Sequence, residues 1–139
     1  MHNAVLFRDR SRPVQILLGG VLPLIAGAIA GVLIGASTVA YWVFSVLAAV
    51  GIFVAGFEHR DGWGGADRGF FAGAIYATAL LVSHKIVGTT AKVSLGSFPP
   101  LLVVLDAIIS MLICAAGGRI ARELRERNGI FITDEHVTS

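Results

Sequence analysis

Four apolar runs determine what this chain can fold into. They cover residues 14–35, 38–57, 69–87 and 98–117, and each has about the 20 residues that a helix needs to cross the ~30 Å hydrocarbon core of a bilayer. The runs are continuous rather than alternating, which favours helices over the strands of a membrane barrel. The sequence therefore predicts an all-α integral membrane protein, a four-helix bundle of transmembrane helices.

Composition agrees with this interpretation. The chain is 55% hydrophobic and 14% charged, whereas soluble domains carry roughly 25% charged residues. A small soluble domain keeps much of its surface in water and would leave this apolar surface exposed. We expect the lipid bilayer to be the main partner, with no nucleic acid and no cofactor. The single cysteine, Cys114, has no second cysteine in the chain with which to form a disulfide.

The arginines predict the orientation. They lie before the first run, between the second and third, and after the fourth, at Arg8, Arg10, Arg12, Arg60, Arg68, Arg119, Arg122, Arg125 and Arg127. With four spans these segments share one side, and the other side carries only Lys85 and Lys92. The positive-inside rule then places both termini in the cytoplasm. We predict a multi-pass protein of the cell (plasma) membrane, with a cytoplasmic N-terminal segment (1–13), a transmembrane domain (14–117) and a cytoplasmic amphipathic helix and tail (118–139).

The polar segment between the second and third runs, residues 58–68, admits two interpretations. Its carboxylates and one histidine are metal-ligand types, but their spacing matches no zinc or calcium motif. The alternative is a topology-setting turn, with Trp63 as an interfacial anchor and the glycines forming a tight turn. In that interpretation Asp67 caps the third helix. We favour the turn and expect no metal site.

Small residues recur on one face of each predicted helix. Such faces let membrane helices pack closely where no hydrophobic force drives them together, so we predict glycine-zipper packing and a homo-oligomer or larger membrane complex. The second helix also aligns Ser45 with its small residues. The predicted packing residues are Gly20, Gly27, Gly31, Gly35, Ala49, Gly56, Gly69, Gly73, Ala77 and Gly117.

Asp106 is the costly charge, because it lies within the fourth apolar run. A carboxylate deep in a membrane costs about 2.5 to 3.5 kcal/mol on insertion scales and should face protein or water. One hypothesis is a polar path for an ion or proton, formed by Asp106 with His84, Ser110, Thr78 and Tyr76. The other is a structural clasp, in which Asp106 bonds to a neighbouring helix. The sequence leaves both open.

No enzyme motif accompanies Asp106. A nucleophile with its base, or a set of zinc ligands, cannot be assembled from one predicted helix, so we assign no catalytic residue and expect no enzyme. The first functional hypothesis is a small oligomeric channel or carrier for an ion or solute, with its polar path at Asp106. The alternative is a non-catalytic accessory or scaffold subunit of a larger membrane complex.

The segment joining the second and third runs also carries a family resemblance. It has an Ala55-Gly56-Phe57 step, a charged turn over residues 58–68, and then Gly69-x-x-x-Gly73 opening the next helix. This pattern resembles small glycine-rich four-span archaeal membrane proteins of unknown function. The resemblance covers the second and third helices, and it implies the four-span architecture without assigning an activity, substrate or site.

Overall fold

The computed structural model describes residues 6–129, and all regular secondary structure in that range is helical. A short 3-10 turn, Phe7–Asp9, precedes four long helices. They are α1 (Arg12–Ala36), α2 (Thr38–Gly56), α3 (Gly62–Val87) and α4 (Pro100–Arg127), and all four are long and apolar enough to cross a membrane. The predicted all-α, four-span architecture is confirmed to that extent. Residues 1–5 and 130–139 of the predicted flanking segments lie outside the described residues.

Helix α1 contains a five-residue π segment, Leu17–Val21. The Leu22 amide donates to the Leu17 carbonyl, five residues back, instead of the usual four. Pro23 explains the position, because a proline has no N–H and its ring crowds the carbonyl four residues before it. The wider π turn accommodates that crowding without ending the helix.

Helix α3 begins earlier than the sequence indicates. The predicted third helix starts at residue 69, with Asp67 as its cap, but α3 starts at Gly62 and Asp61 is the cap. The Asp61 carboxylate accepts the Gly64 amide at 2.9 Å, while Asp67 is exposed. The prediction that these glycines form the turn was wrong, because tertiary packing outweighs the weak helix propensity of glycine here. Gly65 lies against the Cys114 carbonyl of α4.

The loop after α3 closes the end of α1. Ser37 separates α1 from α2 and caps α2 by accepting the Ala40 amide at 3.3 Å. The Lys92 amide donates to the Ile34 carbonyl at 2.9 Å, and its ammonium donates to the Ala36 carbonyl at 2.7 Å. The last carbonyls of a helix lack partners within the helix, and a cation there also complements the helix dipole.

Apart from the extensive contact between α3 and α4, the main helix contacts skip one helix along the chain. The second most extensive contact of α3, after that with α4, is with α1. Helix α2 packs chiefly on α4. Consecutive spans alternate in direction, so α1 runs parallel to α3 and α2 runs parallel to α4. One end of the bundle, here called the arginine-rich end, contains residues 6–11, the turn at 57–61 and residues 118–129. The opposite end contains the Ser37 connection and residues 88–99.

Glycines lie where the helix backbones come closest. On α3, a Cβ added to Gly65, Gly69 or Gly73 would collide with a carbonyl of α4, at Cys114, Ser110 and Asp106 respectively. On α1, the same holds for Gly27 and Gly31, which meet the Tyr76 and Leu80 carbonyls. Gly56 and Gly117 make the equivalent contacts between α2 and α4, whereas Gly35 adjoins the Thr89 side chain. Close approach of this kind admits Cα–H···O contacts worth about 0.5–1 kcal/mol each.

The remaining predicted packing residues differ in their surroundings. Ala77 is 1% exposed and Ala49 is half-buried. Gly20, in the π segment, has nothing within 4 Å of an added Cβ. A cluster of buried side chains joins α1 to α3 through Ala30, Ile34, Tyr76 and Leu80.

We expect Gly69→Ala to destabilise the bundle by about 1–3 kcal/mol, since the added methyl group overpacks the α3–α4 contact. The measurement is the free energy of unfolding in detergent micelles. Gly51→Ala is the matched control, because Gly51 lies in α2 with nothing within 4 Å of an added Cβ. It should be neutral, or stabilising by up to about 1 kcal/mol. Equal effects of the two substitutions would contradict the packing argument.

Candidate functional site

Asp106 lies in the first third of α4, which begins at the opposite end of the bundle. It follows Pro100, the first residue of α4, by about 9 Å along the helix axis at 1.5 Å per residue. The side chain is half-buried. Within residues 6–129 its carboxylate makes no hydrogen bond or ion pair. A carboxylate at this position therefore depends on something beyond the chain's own polar groups for its solvation.

Hydroxyl groups from two other helices lie near Asp106. Tyr76 of α3 is 9% exposed, and its hydroxyl faces Ser45 of α2 within the electrostatic range of Tyr41 and Asp106. The Tyr76 and Ser45 oxygens are both buried, yet neither has a partner at hydrogen-bond geometry. The four side chains, from α2, α3 and α4, form what we call the intramembrane polar cluster.

Helix register places Ser45 at the depth of Asp106. Gly56 and Gly117 lie against each other where α2 meets α4. Ser45 precedes Gly56 by the same number of residues as Asp106 precedes Gly117, and the two helices run in the same direction. Equal steps along parallel helices give equal rise, so the glycine contact aligns the hydroxyl with the carboxylate.

The structure separates the residues predicted to share the polar path. Tyr76 joins Asp106, and Ser110, 3% exposed, lies one helical turn away against Gly73. Thr78 is exposed, and its hydroxyl donates to the Ala74 carbonyl of its own helix at 2.7 Å.

His84 lies well away from the cluster. Gly73 adjoins the Asp106 carbonyl, and His84 follows Gly73 by about 16 Å along α3 at 1.5 Å per residue. The His84 Nδ1 is buried and unpartnered. A proton therefore needs at least one intermediate step to pass between His84 and Asp106.

Sequence reasoning missed Tyr41 and treated Ser45 only as a small packing residue. Tyr41 and Ser45 lie one helical turn apart on an apolar helix, and this pair of hydroxyls was the sequence signal that could have identified them. The helical wheel groups residues of one helix, but it does not show that α2 faces Asp106.

The chemistry available to the cluster is that of oxygen donors in a region of low dielectric constant. A buried hydroxyl without a partner costs roughly 1–3 kcal/mol by protein mutational data, and a water molecule or ion relieves that cost when it bonds to two or more such groups. In residues 6–129 no group of three or more His, Cys, Asp or Glu side chains is arranged to hold a metal ion.

A second polar group lies at the arginine-rich end. Glu58 pairs with Arg10 at 2.6 Å and with Arg68 at 3.0 Å. The Arg68 side chain is 11% exposed, and its guanidinium lies 4.1 Å from the centre of the Phe7 ring. The Phe7 amide also donates to the Glu58 carbonyl at 2.9 Å. These contacts tie the N-terminal segment to the turn between α2 and α3.

His59 adjoins this group and contacts a third element. Its ring lies 5.6 Å from the Phe7 ring, and its carbonyl accepts a hydrogen bond from Arg125 of α4. Its Nε2 is buried without a partner. Burial lowers the pKa of His59 below 6.5, and Arg68 and Arg8 lower it further, against the opposing effect of Glu58 and Asp61.

Comparison with known proteins adds no relative to this description. No protein-family model, curated protein or solved structure matches the chain.

We expect the bundle to lose stability as the pH falls through about 6.5 and below. Because the folded pKa of His59 is lowered, the unfolded chain binds the proton first, so the contribution of His59 is complete above that window and is lost on acidification. The measurement is the melting temperature in detergent between about pH 7.5 and about pH 5.5. His59→Gln should show a smaller drop than the parent, and identical drops would contradict the assignment.

Proposed function

We propose that the protein is a small membrane channel or carrier in which Asp106 binds a proton or a small cation during transport. One observation carries this proposal: a half-buried carboxylate and two unpartnered hydroxyls, on Tyr76 and Ser45, lie together between three helices. Ionisable groups inside membrane spans commonly mark ion or proton pathways.

The cluster offers a simple sequence of events. Asp106 accepts a proton or cation when the site is open to water, and the occupied carboxylate is less costly in a low-dielectric environment than the free one. The Tyr76 and Ser45 hydroxyls are both donors and acceptors. They can therefore hydrogen-bond a water molecule that transfers the proton to or from Asp106. His84 lies nearer the opposite end and has an unpartnered Nδ1, so it is a candidate second proton-binding site on the path.

The topology that accompanies this function is also a proposal. With the arginine-rich end in the cytoplasm, as the positive-inside rule favours, Asp106 lies nearer the external surface of the cell membrane. Glycine-zipper faces support the packing, and a homo-oligomer would cover the exposed side of the Asp106 carboxylate.

A second candidate is an accessory or scaffold subunit of a larger membrane complex. The observation that favours it is α2, whose only buried residue is Gly56. Its outward face is a continuous apolar surface, with Val43, Leu47, Val50 and Val54 each more than half exposed. Lipid satisfies such a face, and so does a helix of a partner protein.

The transport proposal predicts that Asp106→Asn abolishes proton or cation flux in proteoliposomes, because an amide cannot bind the proton. Tyr76→Phe should reduce flux without abolishing it. Asp67→Asn is the matched control, since Asp67 is an exposed carboxylate on α3, and it should leave flux unchanged. Flux that survives in Asp106→Asn would remove Asp106 from the mechanism.

The subunit candidate predicts a different sensitivity. Gly51→Leu adds a bulky group to α2 where nothing lies within 4 Å of an added Cβ, so the isolated bundle should tolerate it, while a partner helix on that face would be displaced. The measurement is the mass of the complex on native gels after purification from membranes. An unchanged complex would argue against a partner at this face of α2.

A further inference from the structure

A groove of about 810 Å³ lies between α3 and α4 near the arginine-rich end, away from the intramembrane polar cluster. Trp63 forms one wall and is 82% exposed. Met111, Leu112 and Ala115 of α4 line the apolar part, and Arg119, Arg122, Glu123 and Glu126 line the rest. The groove therefore changes from apolar to charged along the direction of α4.

The change in polarity occurs where α4 leaves the hydrocarbon layer. From Pro100 to Gly118 the helix rises about 27 Å, close to the thickness of a bilayer core. Arg119 is the first charged residue after Asp106 on α4. Gly62, beside Trp63, lies near the Arg119 Cβ and the Ala115 carbonyl, so Trp63 occupies the interfacial depth that tryptophans prefer.

The order of the charges identifies the kind of headgroup. Moving out of the membrane along α4, Arg119 comes first, Arg122 and Glu123 follow, and Glu126 comes last. A phospholipid with a terminal amine has the matching order, since its phosphate lies next to the acyl chains and its ammonium group lies further out. Cations near the phosphate and carboxylates near the ammonium complement both charges.

The charged side chains are available to such a ligand. Arg119 and Glu123 are 3.6 Å apart, and Arg122 and Glu126 are 2.7 Å apart. All four side chains are more than half exposed, and exposed ion pairs of this kind contribute little to stability. A phosphate and an ammonium inserted among these side chains would replace both weak pairs by charge-assisted contacts to the ligand. The two arginines and two glutamates sum to zero charge, so a purely anionic headgroup gains little net attraction.

We infer that this groove binds one phospholipid bearing a phosphate and a primary ammonium, of the phosphatidylethanolamine type, with its acyl chain along Met111 and Leu112. Arg119 and Arg122 bind the phosphate, and Glu123 and Glu126 bind the ammonium. The inference is independent of the transport proposal, because it uses no residue of the intramembrane polar cluster.

The test uses Trp63 as the reporter. The chain has two tryptophans, so Trp42→Phe leaves Trp63 alone, and the full-length variant is reconstituted in phosphatidylcholine vesicles with a fraction of brominated phosphatidylethanolamine. We expect the quenching of Trp63 fluorescence to correspond to an enrichment of that lipid beside Trp63 of about three- to five-fold over its fraction in the vesicle. One or two exposed charge pairs give an effect of this size. Arg119→Gln in this background should remove the enrichment.

Matched variants and lipids separate the alternatives. Arg127→Gln, at the same helix end but outside the groove lining, should retain the enrichment. Quenching in proportion to the lipid fraction in the parent overturns the inference, as does enrichment that Arg119→Gln leaves intact. Stronger enrichment of brominated phosphatidylglycerol overturns the ammonium assignment. A Trp63 shielded from every brominated lipid indicates a second protein copy in the groove and also overturns the inference.

Discussion

The bundle depends on backbone-to-backbone contact at positions without side chains. Gly65, Gly69 and Gly73 of α3 each lie against a carbonyl of α4, at intervals of one helical turn, so the two helices share a contact with almost no intervening atoms. In lipid, no hydrophobic force draws helices together, and association relies on van der Waals contact and polar interactions. The other helices are then arranged around this pair.

This close pairing also explains where the polar groups lie. With α3 against α4 and α1 against α3, Tyr76 and Asp106 lie toward α2, where they and Ser45 have no hydrogen-bond partners in residues 6–129. Some polar groups elsewhere are satisfied across helices. Ser83 of α3, for example, donates to the Ala28 carbonyl of α1 at 2.8 Å. Two further unsatisfied ring nitrogens, on His59 and His84, lie toward the two ends of the bundle.

Apolar run length was enough to predict the four spans, because hydrocarbon thickness constrains helix length directly. It was not enough for the start of α3, where glycine propensity indicates a turn but contact with α4 stabilises two more helical turns. The site was half predictable. Asp106 is evident from its cost, and Tyr76 follows from its helix face, but Thr78 points elsewhere and Ser45 needs the register of α2 on α4. That register depends on contacts between distant residues.

The pairing of alternate helices has a consequence for how the protein is made. As α1 and α2 enter the membrane during synthesis, each lacks its main partner, since α1 packs chiefly on α3 and α2 on α4. The final carbonyls of α1 also lack their hydrogen bonds from Lys92 until the segment after α3 has been made. The first hairpin must therefore persist in a loosely associated state until α3 and then α4 are inserted. The native packing then forms late, when the α3–α4 hairpin supplies the surfaces on which α1 and α2 pack.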